Sequence, residues 1–296
     1  MDIPWRVSSV PDVRAVLMHE KVNVPTSFAL SLGGKPENLP EDVRTQISYD
    51  RKVARKLAAG EMFWVSADMV SLAVDAASDV PGFTPETDLP ATHGVMVLEK
   101  SLPPLKTWIV TSDARQVEME LSVDVLTWTI LEEMVFIESY CRDAVPGRLY
   151  EAALEPVCYF RGHADRFFAA EDEGVDANSH RMMQFLAAAS HLMANPSVAA
   201  RTTTAPKTPA ARKAAKKGQS ATVTVVDLRA PHHVETGEKS ETGRVYTHRW
   251  IVRGHWRNQA YGKHHAQRRI TWVPSYTKGP AGKPLKETER VWAWRR

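Results

Sequence analysis

The chain has 296 residues, of which 43% are hydrophobic and 25% charged. That excludes a disordered or collagen-like polymer and allows one large or two ordinary domains with a proper core. The formal net charge of +3 conceals an uneven spread: residues 1–200 carry 17 Lys and Arg against 29 Asp and Glu, residues 201–220 carry 6 against none, and residues 221–296 carry 15 against 6. An acidic body tied to a basic ending predicts that the ending meets a polyanion while the body does something else.

The opening residues show no charged-then-apolar leader, and no run of about eighteen apolar residues occurs. Cys141 and Cys158 have neither metal-ligand nor redox spacing. These features lead us to expect a soluble protein of the host cytosol with reduced thiols and no membrane partner. Along the chain, 13–21 and 41–59 read as amphipathic helices. In the second, Val43, Ile47, Val53 and Leu57 recur at helical spacing between Pro40 and Gly60. Residues 62–65 form a strand candidate, and Ser66 is placed to cap a helix running through Met69, Leu72, Ala73 and Ala76.

Pro81, Pro85 and Pro90 break the chain before a buried strand at 94–99, and 107–139 supply three or four more strands rich in β-branched residues. Segments 149–159 and 179–195 read as helices. The second carries Met182, Met183, Phe185, Leu186, Leu192 and Met193. So Met-rich a face suits a partner groove, but packing on the body's own sheet explains it more simply. Glu171, Asp172, Glu173 and Asp176 lack the alternation of a calcium loop and read as a solvated turn. His93 and His163 stand alone, and no phosphate-binding, dinucleotide, nucleophile-elbow or zinc-protease motif is present.

Residues 201–220 hold no large apolar residue, no acid, two prolines and six cations. Such a segment predicts a disordered tether, either a solubilising spacer or an auxiliary phosphate contact. The predicted architecture is therefore α+β: a larger mixed N-terminal domain (1–200) for partner recognition, a disordered basic linker (201–220) and a small β-rich C-terminal domain (221–296). In that last domain strands are expected at 221–229, 246–253, 268–274 and 290–296, around Trp250, Trp256, Trp272, Trp292 and Trp294.

Within 246–279 fall four His, five Arg, three Trp and three Tyr. The pattern HxWxVRGHWRNQAYG…RRxxWVPSYTKGP resembles a widespread ending in largely uncharacterised proteins of actinobacteria, their plasmids and their phages. FWVSADM…DLPATHGVMVLEK, at 63–69 and 88–100, is similar to the N-terminal half of the same group. More distantly, the R-G-H-W core with its W-x-P segment resembles an anti-CRISPR family that acts through loss of effector messenger RNA. The resemblance implies a mobile-element origin and RNA as the polyanion, either mRNA or ribosome-associated. It assigns no catalytic residue.

Metal-independent RNA cleavage needs a base for the 2′-hydroxyl, an acid for the leaving 5′-oxygen and cations on phosphorus. His248 and His255 suit the acid–base pair, with Tyr261 an alternative acid. Arg249, Arg253, Trp256, Arg257, Arg268, Arg269 and Lys278 are the candidate nucleic-acid contacts. Binding alone would need only stacking rings and phosphate cations. Zinc, held by some of His232, His233, His248, His255, His264 and His265, is disfavoured by the irregular spacing and the lack of Cys. No metal or cofactor is expected. The reading from a different class is a non-enzymatic protein that binds and blocks a host or defence factor.

Overall fold

The computed structural model describes residues 5–31, 39–110, 115–142, 154–168, 175–229, 247–280 and 283–284. The chain divides into two units, Met1–Leu228 and Arg229–Arg296. The first unit is built on the strand β1 (Glu61–Val65), four of whose five residues are buried. A short strand buried on both faces needs a layer of structure above and below it. Helices α1 (Val10–Ser31) and α2 (Glu41–Ala59) supply one layer. Helices α3 (Ala67–Ala77) and α5 (Ala177–Met193) supply the other, with the single turn α4 (Pro85–Asp88) beside α5.

The remaining strands of this unit are β2 (His93–Val110), β3 (Gln116–Leu131), β4 (Met134–Cys141), β5 (Glu155–His163), β6 (Ala199–Thr204) and β7 (Val223–Leu228). They form one sheet in the order β5-β4-β3-β2-β1-β7-β6. β1 runs parallel to both neighbours, β2 and β7, and every other pairing is antiparallel. The mixed α+β class expected from the sequence is what this unit adopts. Side-chain alternation sends Met62, Trp64, Val95, Val97 and Phe136 into one cluster with Val10, Leu17, Val53 and Leu57 of α1 and α2. On the opposite face Phe63 stacks on Trp128 with ring centroids 5.8 Å apart.

Local chemistry sets the element ends. α2 starts after Pro40 and stops at Gly60, where a Cβ would lie 3.0 Å from the His93 carbonyl oxygen. Ser66 stands at the N-cap of α3 but its side chain makes no cap bond; the Ala67 N–H donates to Glu99 Oε2 at 2.8 Å. Asp176 caps α5, accepting from the Asn178 and Ser179 N–H groups. Pro103 and Pro104, which have no N–H, fall where the β2–β3 register shifts between Leu102 and Leu105. The Met-rich helix packs inward: Met182, Met183, Phe185, Leu186, Leu192 and Met193 are all buried.

Two expectations are corrected here. Residues 201–220 are folded, not a disordered tether. β6 pairs along its whole length with β7, and α6 (Pro209–Lys216) buries Ala211 and Ala214 after Thr208 caps its start. Threonine suits a strand and alanine a helix contact, so a segment without large apolar residues still finds partners once β7 fills the sheet. Arg14, 2% exposed, fastens this segment by donating to the Gly60 and Ser220 carbonyls. The first unit therefore runs to Leu228 and not to 200. The second correction concerns 149–159, expected to be helical. Residues 155–159 belong to strand β5, because pairing with β4 outweighs a weak helical spacing; residues 149–153 lie outside the described residues.

The second unit holds two antiparallel pairs: β8 (Trp250–Val252) with β11 (Tyr276–Lys278), and β9 (His255–Tyr261) with β10 (Gln267–Val273). The stretch between the strands expected at 246–253 and 268–274 holds a strand of its own, β9. The expected strand at 290–296 with Trp292 and Trp294, the tail histidines His232 and His233, Tyr246 and the acids Glu171, Asp172 and Glu173 all lie outside the described residues.

Candidate nucleic-acid interface

The β9–β10 hairpin sorts the predicted site residues between its two faces. Its register opposes His255 to Val273, Arg257 to Thr271, Gln259 to Arg269 and Tyr261 to Gln267, and directly opposed residues share a face. One face therefore presents His255, Arg257, Tyr261 and Arg269, all exposed. On it the Arg269 guanidinium lies over the Tyr261 ring, 5.3 Å from the centroid. The other face carries Trp256 opposite Trp272, in edge-to-face contact at 5.0 Å, with Trp272 buried. Gly254 is required here, since a Cβ would stand 2.4 Å from Trp272 Cζ2. Trp256 is accordingly a packing residue of the hairpin rather than an open stacking ring.

The remaining candidates are dispersed. Arg268 is exposed on the Trp face, and Lys278 is exposed on β11, opposite Trp250. Arg253 is exposed just before Gly254. Arg249 is engaged within the unit: its Nε donates to the Lys283 carbonyl at 2.8 Å and its backbone N–H to that of Pro284. His248 sits 3.4 Å from the Thr247 hydroxyl, with its ring 6.0 Å from that of Trp250. It precedes β8, whereas His255 opens β9, so the two histidines belong to different strand pairs. The turn joining β9 to β10 holds Gly262, His264 and His265 at positive φ, a conformation that costs the two histidines energy.

His255 has a defined tautomer. Its Nδ1 lies 3.1 Å from the Arg253 carbonyl oxygen, which can only accept, so Nδ1 carries the proton and neutral His255 keeps an Nε2 lone pair.

The sequence did not expose a polar cluster under α1 and α2 of the first unit. Lys21 pairs with Glu138, and Glu138 also accepts from Tyr140 Oη at 3.1 Å and Thr127 Oγ1 at 3.3 Å. Burial raises the Tyr140 hydroxyl well above its ordinary range, with the Glu138 charge adding to it. Partial burial, with the Glu138 charge adding to it, pushes the half-exposed Tyr159 up to about 12. Asp50, bonded to Gln46 at 3.2 Å, is raised chiefly by burial. A carboxyl whose folded pKa exceeds its unfolded value contributes most below the unfolded value and loses that contribution as pH rises through the folded one. Asp50→Asn is therefore expected to be more stable than the natural chain at pH 7, with the gap closing toward pH 4. Urea midpoints at the two pH values test this, and an equal gap at both would contradict it.

Among the described residues, no group of three or more His, Cys, Asp or Glu is arranged to hold a metal ion, and no helix is long and apolar enough to cross a membrane. No family model and no curated protein matches the chain. The chain is similar to AcrVA2 in its crystal structure, with 14% identity, a TM-score of 0.38, and coverage of 88% of this chain and 85% of that one.

Proposed function

We propose that this is a mobile-element protein whose basic C-terminal unit binds RNA, either mRNA or ribosome-associated, while its first unit engages a host or defence protein. The observation that carries the RNA part is the β9–β10 face, where two arginines, a histidine and a tyrosine stand exposed over a packed tryptophan pair. Cations for phosphate and an accessible ring for a base are what unpaired RNA needs. The charge supports it too: residues 229–296 carry 15 Lys and Arg against 5 Asp and Glu, a net of +10. The choice of RNA over DNA rests on the resemblance of the ending to the mRNA-lowering anti-CRISPR family.

In the full chain, Arg257→Ala with Arg269→Ala is expected to weaken binding of a labelled poly(U) strand. It should also lower the slope of log K against log salt by about 1.4, at roughly 0.7 per lost phosphate contact on a single strand. An unchanged slope would remove the hairpin face from the interface.

A second reading, metal-independent cleavage of RNA, is favoured by the His255 tautomer, because a lone pair on Nε2 is what a general base requires. His255→Ala would then abolish cleavage in the presence of EDTA while leaving affinity intact. A natural chain that binds RNA without cutting it, even beside translating ribosomes, leaves binding as the function and ends the nuclease reading. A blocker of a host or defence protein that binds no RNA would give neither signal.

A further inference from the structure

The first unit is acidic as a whole, yet α2 is not. Arg44, Arg51, Lys52, Arg55 and Lys56 are all exposed. At 100° per residue these five fall within an arc of about 140°, with Arg44, Arg51 and Arg55 within about 40° of one another, and the exposed Glu41 of the first turn falls on the same arc. The opposite arc holds Ile47, Val53, Ala54, Leu57 and Ala58, all buried. A solvated helix face normally mixes signs so that i and i+4 neighbours pair. Among the described residues, Lys52 has a carboxylate partner, Glu132 at 3.8 Å across two exposed side chains, and no such partner is seen for Arg44, Arg51 or Arg55.

The stripe continues onto the sheet. Lys52 Nζ lies 5.3 Å from the Tyr49 centroid, and the exposed Arg161 of β5 lies 5.6 Å from the rings of both Tyr49 and Phe136. Tyr159, two residues before Arg161 on the same face, is 48% exposed, its ring 6.5 Å from Phe136. Cations in a row beside an accessible ring are the elements of a single-strand contact.

We propose that the α2 stripe, extended by Arg161 and Tyr159, is a second RNA-binding surface of this chain, on the unit whose net charge argues against one. The inference deepens the RNA-binding reading above and rests on it for the polyanion being RNA. From Arg44 to Lys56 the helix rises about 18 Å, long enough for the stripe to follow several phosphates of one strand. A membrane surface fits poorly. An amphipathic helix binds lipid through its apolar face, and here that face is consumed by the core.

The test uses the full chain and a labelled poly(U) strand, with the deoxy strand, polyglutamate and phosphatidylserine vesicles as further probes. The triple variant Arg44→Gln, Arg51→Gln, Arg55→Gln is expected to keep its melting temperature, since the groups are exposed. It should lower the salt slope by about 2 and the affinity roughly 10- to 100-fold near 0.1 M salt. The same three positions changed to lysine should restore most of the binding. A triple variant that matches the natural chain while Arg257→Ala with Arg269→Ala weakens it overturns this inference and leaves the hairpin reading intact. The reverse pattern keeps the α2 surface and overturns the hairpin reading. A natural chain that binds the vesicles and not poly(U), or no probe at all, overturns both.

Discussion

Lys21→Met is expected to lower the stability of the full chain by about 3–5 kcal/mol at neutral pH, read from urea unfolding. Lys21 and Glu138 are close to fully desolvated, with side chains 9% and 15% exposed, and Glu138 has no other cation bonded to it among the described contacts. Removing the ammonium leaves a carboxylate supported only by Tyr140 and Thr127 beneath two helices. The loss comes mostly from the stranded charge and not from an attractive pair, because a buried ion pair returns little beyond its own desolvation. The double variant Lys21→Met with Glu138→Gln should therefore recover much of the deficit. A single variant that loses less than about 1 kcal/mol, or a double that is no better than the single, would show that water reaches this cluster and screens it.

Trp128→Ala is the other large effect, again about 3–5 kcal/mol. Trp128 is fully buried toward the C-terminal end of β3, stacks on Phe63 and donates its Nε1 hydrogen to the Ala91 carbonyl at 2.7 Å. Its ring lies over Gly94 so closely that a Cβ there would fall 2.2 Å from Cζ2. Truncation leaves a large cavity, while Gly94→Ala overpacks the same place and should cost about 1–3 kcal/mol. Trp128→Ala combined with Gly94→Ala should cost less than the two losses added together, since the cavity left by the first accommodates the methyl added by the second. Strict additivity would mean that the two groups do not share the space.

Much of the first unit was legible in the sequence because its signals are local. Pro40 and Gly60 bracket α2, the run at 62–65 gives β1, and the Met-rich periodicity of 179–195 gives a helix that does turn inward. The sequence misled where long-range pairing decides. Threonines 202–204 look like linker until β7 is seen beside them, and the residues after 154 look helical until β4 claims them. In the basic ending, composition singled out a stretch but could not sort its residues by face. Alternation along β9 separates Trp256, which packs, from His255 and Arg257, which stand in solvent. The α2 stripe was not read from the sequence, because whether a periodic charge faces outward depends on which arc the sheet covers.

The position of β7 has a consequence for how the chain is made. β1, an interior strand of the sheet, emerges early, but the neighbour that completes one of its edges comes from residues 223–228. At synthesis rates of roughly 5–20 residues per second, about 8–30 s separate the two. Through that interval one edge of an apolar strand lies open to other nascent chains or to a chaperone. Any fragment ending near residue 200 would keep the edge open permanently. Such a fragment should collect in inclusion bodies, whereas one ending just after Leu228 should stay in solution.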